Sequence, residues 1–431
     1  MQSRQGSTEK LTGYHWLLLI AVFLGWAVVA LDLLLMAFGA PQLFKTFHVS
    51  SLSWPALFFG VGDGIGALLF GRLNDTMWGR KRTFLITIAG AMVFTGLTAV
   101  SINWSMYTGF RFLAGLFSGG EMTAGWVILA EEIPIQRRST FLSISQGGAA
   151  VGVFLAPVVM GTYASAAAFG WRAAYLTSFI FALAVLILRL RIRESDEWKI
   201  MVSKLKVEKT KVSTSLRQVF SGGYAKVTLI TVVLFSLVFY ATAIHDDYYP
   251  SWYSLGTING IVVPTAVITI IFAGGSIAEF LANLSMGFMM DKWGSRKSSL
   301  IMLGMIPLVL AMWLVPSSYS YVLDFVIIFG VYYFFQTVWG YAPAYLGQLY
   351  PTGVRHSGMG ITWAIAYGGF YSASAYFSGY SASTVGGWSI LFIISMVAYG
   401  VFAIGMFFLA VDVKRKPQPA LESGSSGTPN K

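Results

Sequence analysis

The chain has 431 residues, of which 56% are hydrophobic and only 11% are charged, and it contains no cysteine. A soluble domain carries about 25% charged residues, so this composition excludes an ordinary soluble protein and indicates one that lies in a lipid bilayer. The absence of cysteine excludes disulfides, thiol nucleophiles and thiolate metal sites. Basic loops facing a membrane surface explain the net charge of +11 without any nucleic acid.

The hydrophobic pattern predicts twelve transmembrane helices. A helix needs about 20 apolar residues to cross ~30 Å of hydrocarbon. Stretches that meet this requirement lie near residues 14–38, 54–74, 83–101, 106–130, 140–163, 172–190, 226–245, 262–290, 298–316, 321–346, 358–381 and 388–411. The first stretch is too long for a signal peptide and lacks a small-residue cleavage site, so we expect it to remain as a span.

Basic residues indicate which side of the membrane the loops face. Both termini lie on the same side when the number of spans is even, and a cytoplasmic N-terminus places 26 of the 29 lysines and arginines in the cytoplasm. Only Lys45 and Arg172 then lie outside, and Arg111 lies within a span. This asymmetry predicts a multi-pass protein of the cell membrane with cytoplasmic N- and C-termini.

The chain also contains an internal duplication. Two copies of one charged turn, residues 71–81 and 287–297, lie 216 residues apart, and the pattern Glu/Gln-x-x-Pro-x-x-x-Arg of residues 131–138 recurs at 348–355. Repeats at a fixed offset indicate two similar halves. In a membrane protein, two such halves place a substrate site at their interface and allow transport by rocking one half against the other.

The predicted domains follow from this duplication. We expect an N-terminal six-helix bundle over residues 1–192 and a C-terminal six-helix bundle over residues 226–411. Residues 193–225 mix charged and apolar side chains and are expected to form a cytoplasmic central loop with a helix on the membrane surface. Residues 412–431 are rich in proline, glycine and serine and are expected to be a disordered tail.

The repeated turns resemble the signature of the major facilitator superfamily, G-x-x-x-D-x-x-G-x-R-K. The second copy fits this spacing, and the first has one extra residue before Gly79. Residues 111–121 and 131–138 are similar to sugar porters and metabolite:proton symporters. Residues 342–355 are most similar to organic-acid symporters such as sialate, lactate and aromatic-acid carriers. In two departures from these families, Gln348 replaces a glutamate and the sugar-porter ending P-E-T-K-G is missing.

The charged turns predict a gate on the cytoplasmic side. Asp75 and Asp291 lie just outside the hydrocarbon, where they can accept hydrogen bonds from helix N-termini or from arginines of a neighbouring span. Glu121 and Glu279 also fall in the cytoplasmic half of their predicted spans. The expected gate residues are Asp75, Arg80, Glu121, Glu131, Arg138, Glu279, Asp291, Arg296 and Arg355.

Two opposite charges are predicted at a similar depth in the membrane. Asp32 lies about 18 residues into the first span and Arg111 about five residues into the fourth, which runs in the opposite direction, so at ~1.5 Å per residue both fall in the outer half. A charge at this depth costs at least ~2.5–3.5 kcal/mol, which favours pairing. The resemblance to proton-coupled carriers implies a role in proton coupling for this pair. A static ion pair that holds two spans together is the alternative.

Asp63 is a second acid in the predicted membrane region, near the middle of span two. It is flanked by four alternating glycines at positions 60, 62, 64 and 66. A carboxylate among small residues can face a water-filled cavity, which makes Asp63 a candidate for proton coupling or substrate binding. Close helix packing explains the glycines but not the acid.

Polar and aromatic side chains of several spans are candidates for substrate binding. Gln146 occupies the glutamine position of the carriers that the chain resembles, and the C-terminal half offers amides and aromatic rings. The substrate-binding residues that we expect are Gln146, Arg111, Asn283, Gln336, Trp339, Tyr341, Trp363 and Tyr367.

These features together predict a proton-coupled symporter that imports a small hydrophilic metabolite by alternating access. An organic acid anion is favoured because Arg111 is the only cation within the predicted spans and can bind a carboxylate. A sugar is the first alternative, since Gln146 and the aromatic and amide groups suit hydroxyls, and an efflux carrier or uniporter is the second.

No enzyme is expected. The four histidines lie near span ends without metal-ligand spacing, and no nucleophile-elbow or phosphate-loop motif is present. We therefore expect no metal and no cofactor. The expected partners are the substrate, protons and the lipid bilayer, and the chain is expected to act as a monomer.

Overall fold

The computed structural model describes residues 10–163, 166, 169–207, 219–220, 222–254, 257–258, 261–262, 265–314, 321–373 and 388–409. Nearly all of these residues are helical, as the apolar runs predict. The exception to an all-helical chain is a short antiparallel pair formed by β1 (Thr257–Ile258) and β2 (Ile261–Val262). The predicted tail, 412–431, lies outside the described residues.

The helices of the N-terminal half follow the first six predicted spans. A short helix is added after the first span, and the fifth span is divided at Gly147. The helices are α1 (Gly13–Phe38), α2 (Ala40–Phe47), α3 (Ser53–Leu73), α4 (Gly79–Ala99), α5 (Trp104–Glu132), α6 (Arg138–Gln146), α7 (Gly148–Thr162) and α8 (Gly170–Arg189).

The remaining helices cover the central segment and the C-terminal half. They are α9 (Asp196–Val207), α10 (Gly222–Ser254), α11 (Thr265–Leu314), α12 (Tyr321–Leu349), α13 (Arg355–Trp363) and α14 (Trp388–Leu409). A π-helical segment, Ala364–Tyr371, continues α13. Helix α9 lies within residues 193–225, the predicted central loop.

Nine segments of the described chain are long and apolar enough to cross a membrane. Two of them, Ser53–Ala99 and Ala273–Met312, run through a repeated turn, so each contains two predicted spans. The eleventh predicted span, 358–381, is described only as far as residue 373. The prediction of twelve transmembrane helices in two bundles is confirmed.

The two repeated turns share a glycine in a left-handed conformation. Gly79 and Gly294 have φ angles of 76° and 83°, which glycine adopts without steric strain. The first copy differs in one respect, because Asn74–Trp78 forms a π-helical turn before its glycine. A π-helical turn accommodates an extra residue, which explains why Gly79 lies one residue further from Asp75 than the signature spacing requires.

The two halves meet along two symmetry-related sets of helices. Helix α3 packs between α5 of its own half and the segment 355–371 of the other half, while α6 and α7 pack against α11. The glycines of α3 allow this close approach, because Gly62 faces the backbone of Phe112 and Gly64 faces Gly368. The centre of the molecule therefore lies between these two contacts, where both halves contribute side chains.

Candidate functional site

Asp32 and Arg111 form a buried ion pair between α1 and α5. Nη1 of Arg111 donates to Oδ2 of Asp32 at 2.7 Å. The guanidinium lies over the ring of Phe59 at 4.6 Å and over that of Tyr175 at 5.6 Å. The pairing expected from their depths is present, and the aromatic rings shield it from solvent.

This pair leaves hydrogen-bonding capacity unused. Oδ1 of Asp32 and both Nε and Nη2 of Arg111 have no hydrogen-bond partner among the described residues. Because a fully satisfied arginine–carboxylate pair is usually bidentate, a single contact makes this one easier to separate. Among the described residues, Arg111 contacts Asp32, Phe59 and Tyr175, all of the N-terminal half, and not the C-terminal residues expected to bind substrate.

A small internal cavity borders the same carboxylate. It is about the size of one water molecule and is lined by Asp32, Thr95 of α4, and Ala114 and Ser118 of α5, with mainly aliphatic side chains around them. Asp32 thus faces space inside the N-terminal half as well as its arginine.

Asp63 lies at the contact between the two halves. Its Oδ1 accepts a hydrogen bond of 2.7 Å from Nε1 of Trp363, which belongs to the C-terminal half. Asp63 is 1% exposed, and its Oδ2 has no hydrogen-bond partner in the described part of the chain. The close packing of the α3 glycines therefore brings a buried carboxylate against the opposite half.

An aromatic cluster occupies the centre of the molecule. Trp363 stacks on Tyr367 with ring centroids 4.4 Å apart, and its edge contacts Trp126 at 5.0 Å. Both halves contribute to the cluster, which consists of Trp26, Trp126, Phe239, Trp339, Trp363, Tyr367 and Tyr371. The sequence analysis identified Trp339, Trp363 and Tyr367 of this cluster but not Trp26, Trp126 or Phe239.

Three buried amides surround the junction between α6, α11 and α12. Oγ of Ser143 donates to the carbonyl oxygen of Gly340 at 2.6 Å, and Gly340 faces Asn283. Gln146 lies one turn after Ser143, and Gln336 lies one turn before Gly340, so both project from the same helix faces. The side chains of Gln146 and Asn283 are at most 1% exposed, and all four of their polar atoms lack a partner among the described residues.

Unsatisfied buried amides are unfavourable unless something else completes their hydrogen bonds. Gly340, which Asn283 contacts, follows Trp339 of the aromatic cluster in the chain. The amides and the rings therefore form a candidate binding site for a small molecule that has both polar and apolar faces. Tyr341 does not belong to it. Its hydroxyl donates to the carbonyl oxygen of Ser295 at 3.3 Å and its ring stacks on Tyr345, within the C-terminal half.

The charged end, defined as the end of the bundle that carries residues 71–81 and 287–297, is closed in this structure. Oδ2 of Asp75 accepts hydrogen bonds of 2.8 Å from both the backbone nitrogen and the hydroxyl of Ser357. Arg80 donates to Asp75 at 2.9 Å, to Glu131 at 2.7 Å and to the carbonyl oxygen of Thr352 at 2.8 Å. Asp75 and Arg80 are fully buried, so this network joins the halves away from water.

The second repeat makes the equivalent contact to the first half. Asp291 accepts from the backbone nitrogens of Ser139 at 3.0 Å and Thr140 at 2.8 Å, in the first turn of α6. Asp75 likewise accepts from the first turn of α13. Each repeat therefore places its acid at a helix N-terminus of the other half, where the helix dipole favours a negative charge.

Glu197 of α9 lies between the arginines of the two halves. Arg355 contacts Glu197 at 3.1 Å and Glu131 at 3.4 Å, and Arg138 approaches Glu197 at 3.9 Å. Sequence reasoning did not include Glu197, although it lies in the charged segment that links the two halves. The central helix therefore takes part in closing the charged end.

Glu121 pairs with an arginine of its own half, whereas a gate residue is expected to pair with the opposite half. It forms an ion pair of 2.5 Å with Arg189 of α8, in the same half, and Arg189 lies 3.6 Å from the ring of Phe84. Arg189 is fully buried, so the statement that Arg111 is the only cation within the predicted spans is wrong. Its long side chain turns inward from the last turn of α8 because it compensates the buried charge of Glu121.

Two other expected gate residues lie away from the contacts between the halves at the charged end. Glu279 is buried one turn before Asn283 in α11, about 18 Å along the helix from Asp291. Arg296 is exposed and lies over the ring of Phe407 at 5.5 Å. Glu279 is therefore at the level of the buried amides, and Arg296 packs within its own half.

Comparisons with known proteins agree with this architecture. A candidate niacin/nicotinamide transporter of Bacillus subtilis is 25% identical over 79% of this chain and 82% of its own length. The gentisate transporter of Corynebacterium glutamicum is 25% identical over 81% of this chain and 78% of its own. The proton:xylose symporter XylE bound to 6-bromo-6-deoxy-D-glucose has a similar fold, with a TM-score of 0.69 and 16% identity over 92% of this chain and 94% of its own.

The family comparison covers more than half of the chain. Residues 16–274 match the model of the Major Facilitator Superfamily, which includes the first repeated turn and the Asp32–Arg111 pair. The duplicated halves, the fold and this match lead to one conclusion. The chain belongs to the Major Facilitator Superfamily and is a membrane transporter.

Proposed function

We propose that this transporter is a symporter that imports a small organic acid anion together with protons across the cell membrane. The observation that carries the proposal is the buried, singly bonded pair of Asp32 and Arg111. The proposal includes a monomeric transporter with cytoplasmic termini, bundles over 1–192 and 226–411, a central loop over 193–225 and a tail over 412–431. The charged end then faces the cytoplasm.

Proton coupling follows from the electrostatics of the pair. In this conformation Arg111 supplies the counter-charge of Asp32. Separation of the two leaves a buried carboxylate without a counter-charge, and such a group binds a proton. The conformation in which Asp32 is protonated is therefore favoured by a high proton concentration, which links the proton gradient to the change of conformation.

Substrate binding is assigned to the buried amides and the aromatic cluster. The amide groups of Gln146 and Asn283 and the indole N–H of Trp126 lack hydrogen-bond partners among the described residues. N–H donors of this kind suit a carboxylate, and the ring faces suit a flat apolar body. The names of the niacin and gentisate transporters support an acid of this type.

The contacts at the charged end support alternating access. Asp75, Asp291 and Arg80 all bond to the opposite half, so this conformation is closed at that end. Transport requires these contacts to break while the opposite end closes, as expected for two halves that rock about a central site.

A sugar is the second candidate. Amides that both donate and accept, next to a tryptophan, also suit hydroxyl groups and the apolar face of a sugar ring. Arg111 no longer favours the acid as strongly as the sequence alone suggests, because Asp32 occupies it. The choice between acid and sugar therefore depends on the amides and the rings.

The experiment is uptake into proteoliposomes of purified protein. Radiolabelled niacin, gentisate, sialic acid and xylose are tested with and without an acidic external medium, and a protonophore serves as the control. We expect an acid to accumulate above equilibrium only while the pH gradient lasts. Accumulation of xylose alone would favour the sugar, equilibration regardless of the gradient would indicate a uniporter, and accumulation only with the reversed gradient would indicate efflux.

A further inference from the structure

Asp63 is a buried carboxylate that the coupling mechanism above does not use. We propose that Asp63 is a second proton-carrying group, which binds its proton when substrate enters the aromatic cluster and draws Trp363 away. This inference rests on the proposed function, since it adds a second proton to the same transport cycle.

The first support is the single hydrogen bond that stabilises the charge of Asp63. Only the indole N–H of Trp363 donates to it, at 2.7 Å, and Oδ2 is unpartnered within the described chain. Charged or titratable side chains of the elements packed against α3 include Arg111, Glu121, His356, Tyr367 and Tyr371. The first three bond to other residues, and the rings of the two tyrosines stack in the aromatic cluster.

The second support is the position of Trp363. Its ring stacks on Tyr367 and contacts Trp126 and Trp339 at 5.0 Å and 6.1 Å, so it belongs to the proposed binding site. A substrate ring inserted into this cluster must displace some of these contacts. Displacement of Trp363 removes its 2.7 Å hydrogen bond to Asp63, and a buried carboxylate that loses a donor takes up a proton.

The third support is a connection to Asp32. Ser118 of α5 faces the carboxylate of Asp63 and also lines the small cavity beside Asp32. Its hydroxyl has no hydrogen-bond partner among the described residues, so it is available to both sides. A hydroxyl can accept a proton from one neighbour while it donates one to another, which gives Asp63 a route for protons through the N-terminal half.

If two carboxylates are each protonated once per transport cycle, the net charge that crosses the membrane in each cycle changes. With one proton, a monovalent anion crosses without net charge. With two protons, the cycle carries one positive charge inward. Uptake of the monovalent anion then responds to membrane potential even without a pH gradient.

The first test asks whether Asp63 titrates and needs no substrate. Infrared difference spectra between neutral and acidic buffer are recorded for the wild type, Asp63→Asn, Asp32→Asn and Trp363→Phe. We expect a carboxylic-acid C=O band that is lost in D63N, retained in D32N and shifted to higher pH in W363F. Trp339→Phe is the control, because Trp339 lies in the same cluster without bonding to Asp63, and it should leave the band in place. A spectrum of D63N identical to that of the wild type would overturn the proposal.

The second test measures charge movement in proteoliposomes with niacin and gentisate as probes. For one net charge per cycle, an inside-negative potential of about 59 mV raises accumulation about tenfold. We expect this response in the wild type and its loss in D63N, with pH-driven uptake retained. Loss of pH-driven uptake in D32N but not in D63N separates the two proposals. If D63N keeps the response to potential, Asp63 is a structural contact between the halves and the inference fails.

Discussion

The two repeated turns have similar sequences and hold the charged end closed in different ways. In the first repeat, Arg80 is fully buried and bonds to Asp75, Glu131 and the opposite half. In the second repeat, Arg296 is exposed, and Gln348 occupies the position that corresponds to Glu131. Gln348 donates to the hydroxyl of Ser139 at 2.9 Å, a neutral hydrogen bond in place of an ion pair.

The difference shows that duplication preserves the geometry of a contact without preserving its energy. Both acids meet a helix N-terminus of the other half, and in the first repeat the described residues add a buried network of charges. Removal of one partner from a buried ion pair is strongly destabilising, whereas ion pairs between exposed charges contribute little free energy. We infer that the first repeat supplies most of the free energy that keeps the charged end closed.

The largest effect is expected for Glu131→Gln. This change leaves the buried guanidiniums of Arg80 and Arg355 with less compensation, which we expect to weaken closure by about 3 kcal/mol. Spin labels on Met77→Cys and Trp293→Cys, which are 70% and 42% exposed, report the opening between the halves. The native chain has no cysteine, so no other site is labelled.

Glu132→Gln is the matched control for this change. Glu132 is the next residue and accepts a hydrogen bond from the backbone of Asp196, outside the network of Arg80. We expect the distance distribution of E132Q to resemble that of the wild type. Equal opening in both variants would show that general charge, rather than the buried network, holds the end closed.

A smaller difference is expected between Asp75→Asn and Asp291→Asn. Asp75→Asn keeps one acceptor oxygen for Ser357 but loses the charge-assisted hydrogen bond from Arg80, which is worth about 1.5–3 kcal/mol. Asp291 loses an interaction with a helix N-terminus, worth about 0.3–1 kcal/mol. With the same labels, D75N should open the charged end more than D291N, and the reverse order would contradict the comparison.

The smallest effect is expected for Gln348→Glu, which restores the acid that the second repeat lacks. The new carboxylate lies beside Ser139, next to Arg138, and should stabilise closure by about 0.2–1 kcal/mol, since the surroundings are partly exposed and Asp291 is near. The measurement is the distance between the same spin labels in the double variant E131Q/Q348E. We expect Q348E to reverse part of the opening that E131Q causes. No reversal in the double variant would mean that the two repeats do not act on the same equilibrium.

The parts of the site that depend on position along a helix were predictable from the sequence. The depths of Asp32 and Arg111 follow from residue counts and helix rise, and their contact is present. The contacts of Asp75 and Asp291 with helix N-termini follow from the spacing of the repeated turns. The twelve spans and the family follow from hydropathy and the same turns.

The parts that depend on helix rotation were not predictable. Arg189 is the last residue of its helix, where a basic side chain is expected to face the cytoplasm, yet it turns inward to Glu121. Trp26 and Trp126 carry no sequence signal that separates a central tryptophan from one that faces lipid. Asp63 was identified by its cost in the membrane, but its partner Trp363 lies in the other half of the chain, beyond any local pattern.

The most direct test of the account is transport by Asp32→Asn. Asparagine keeps the size of the side chain but does not titrate, so it removes proton binding at this position. With the acid that the uptake screen identifies, we predict that D32N loses accumulation driven by a pH gradient and retains exchange between labelled and unlabelled substrate. Undiminished pH-driven accumulation by D32N would contradict the central claim that proton binding at Asp32 drives uptake.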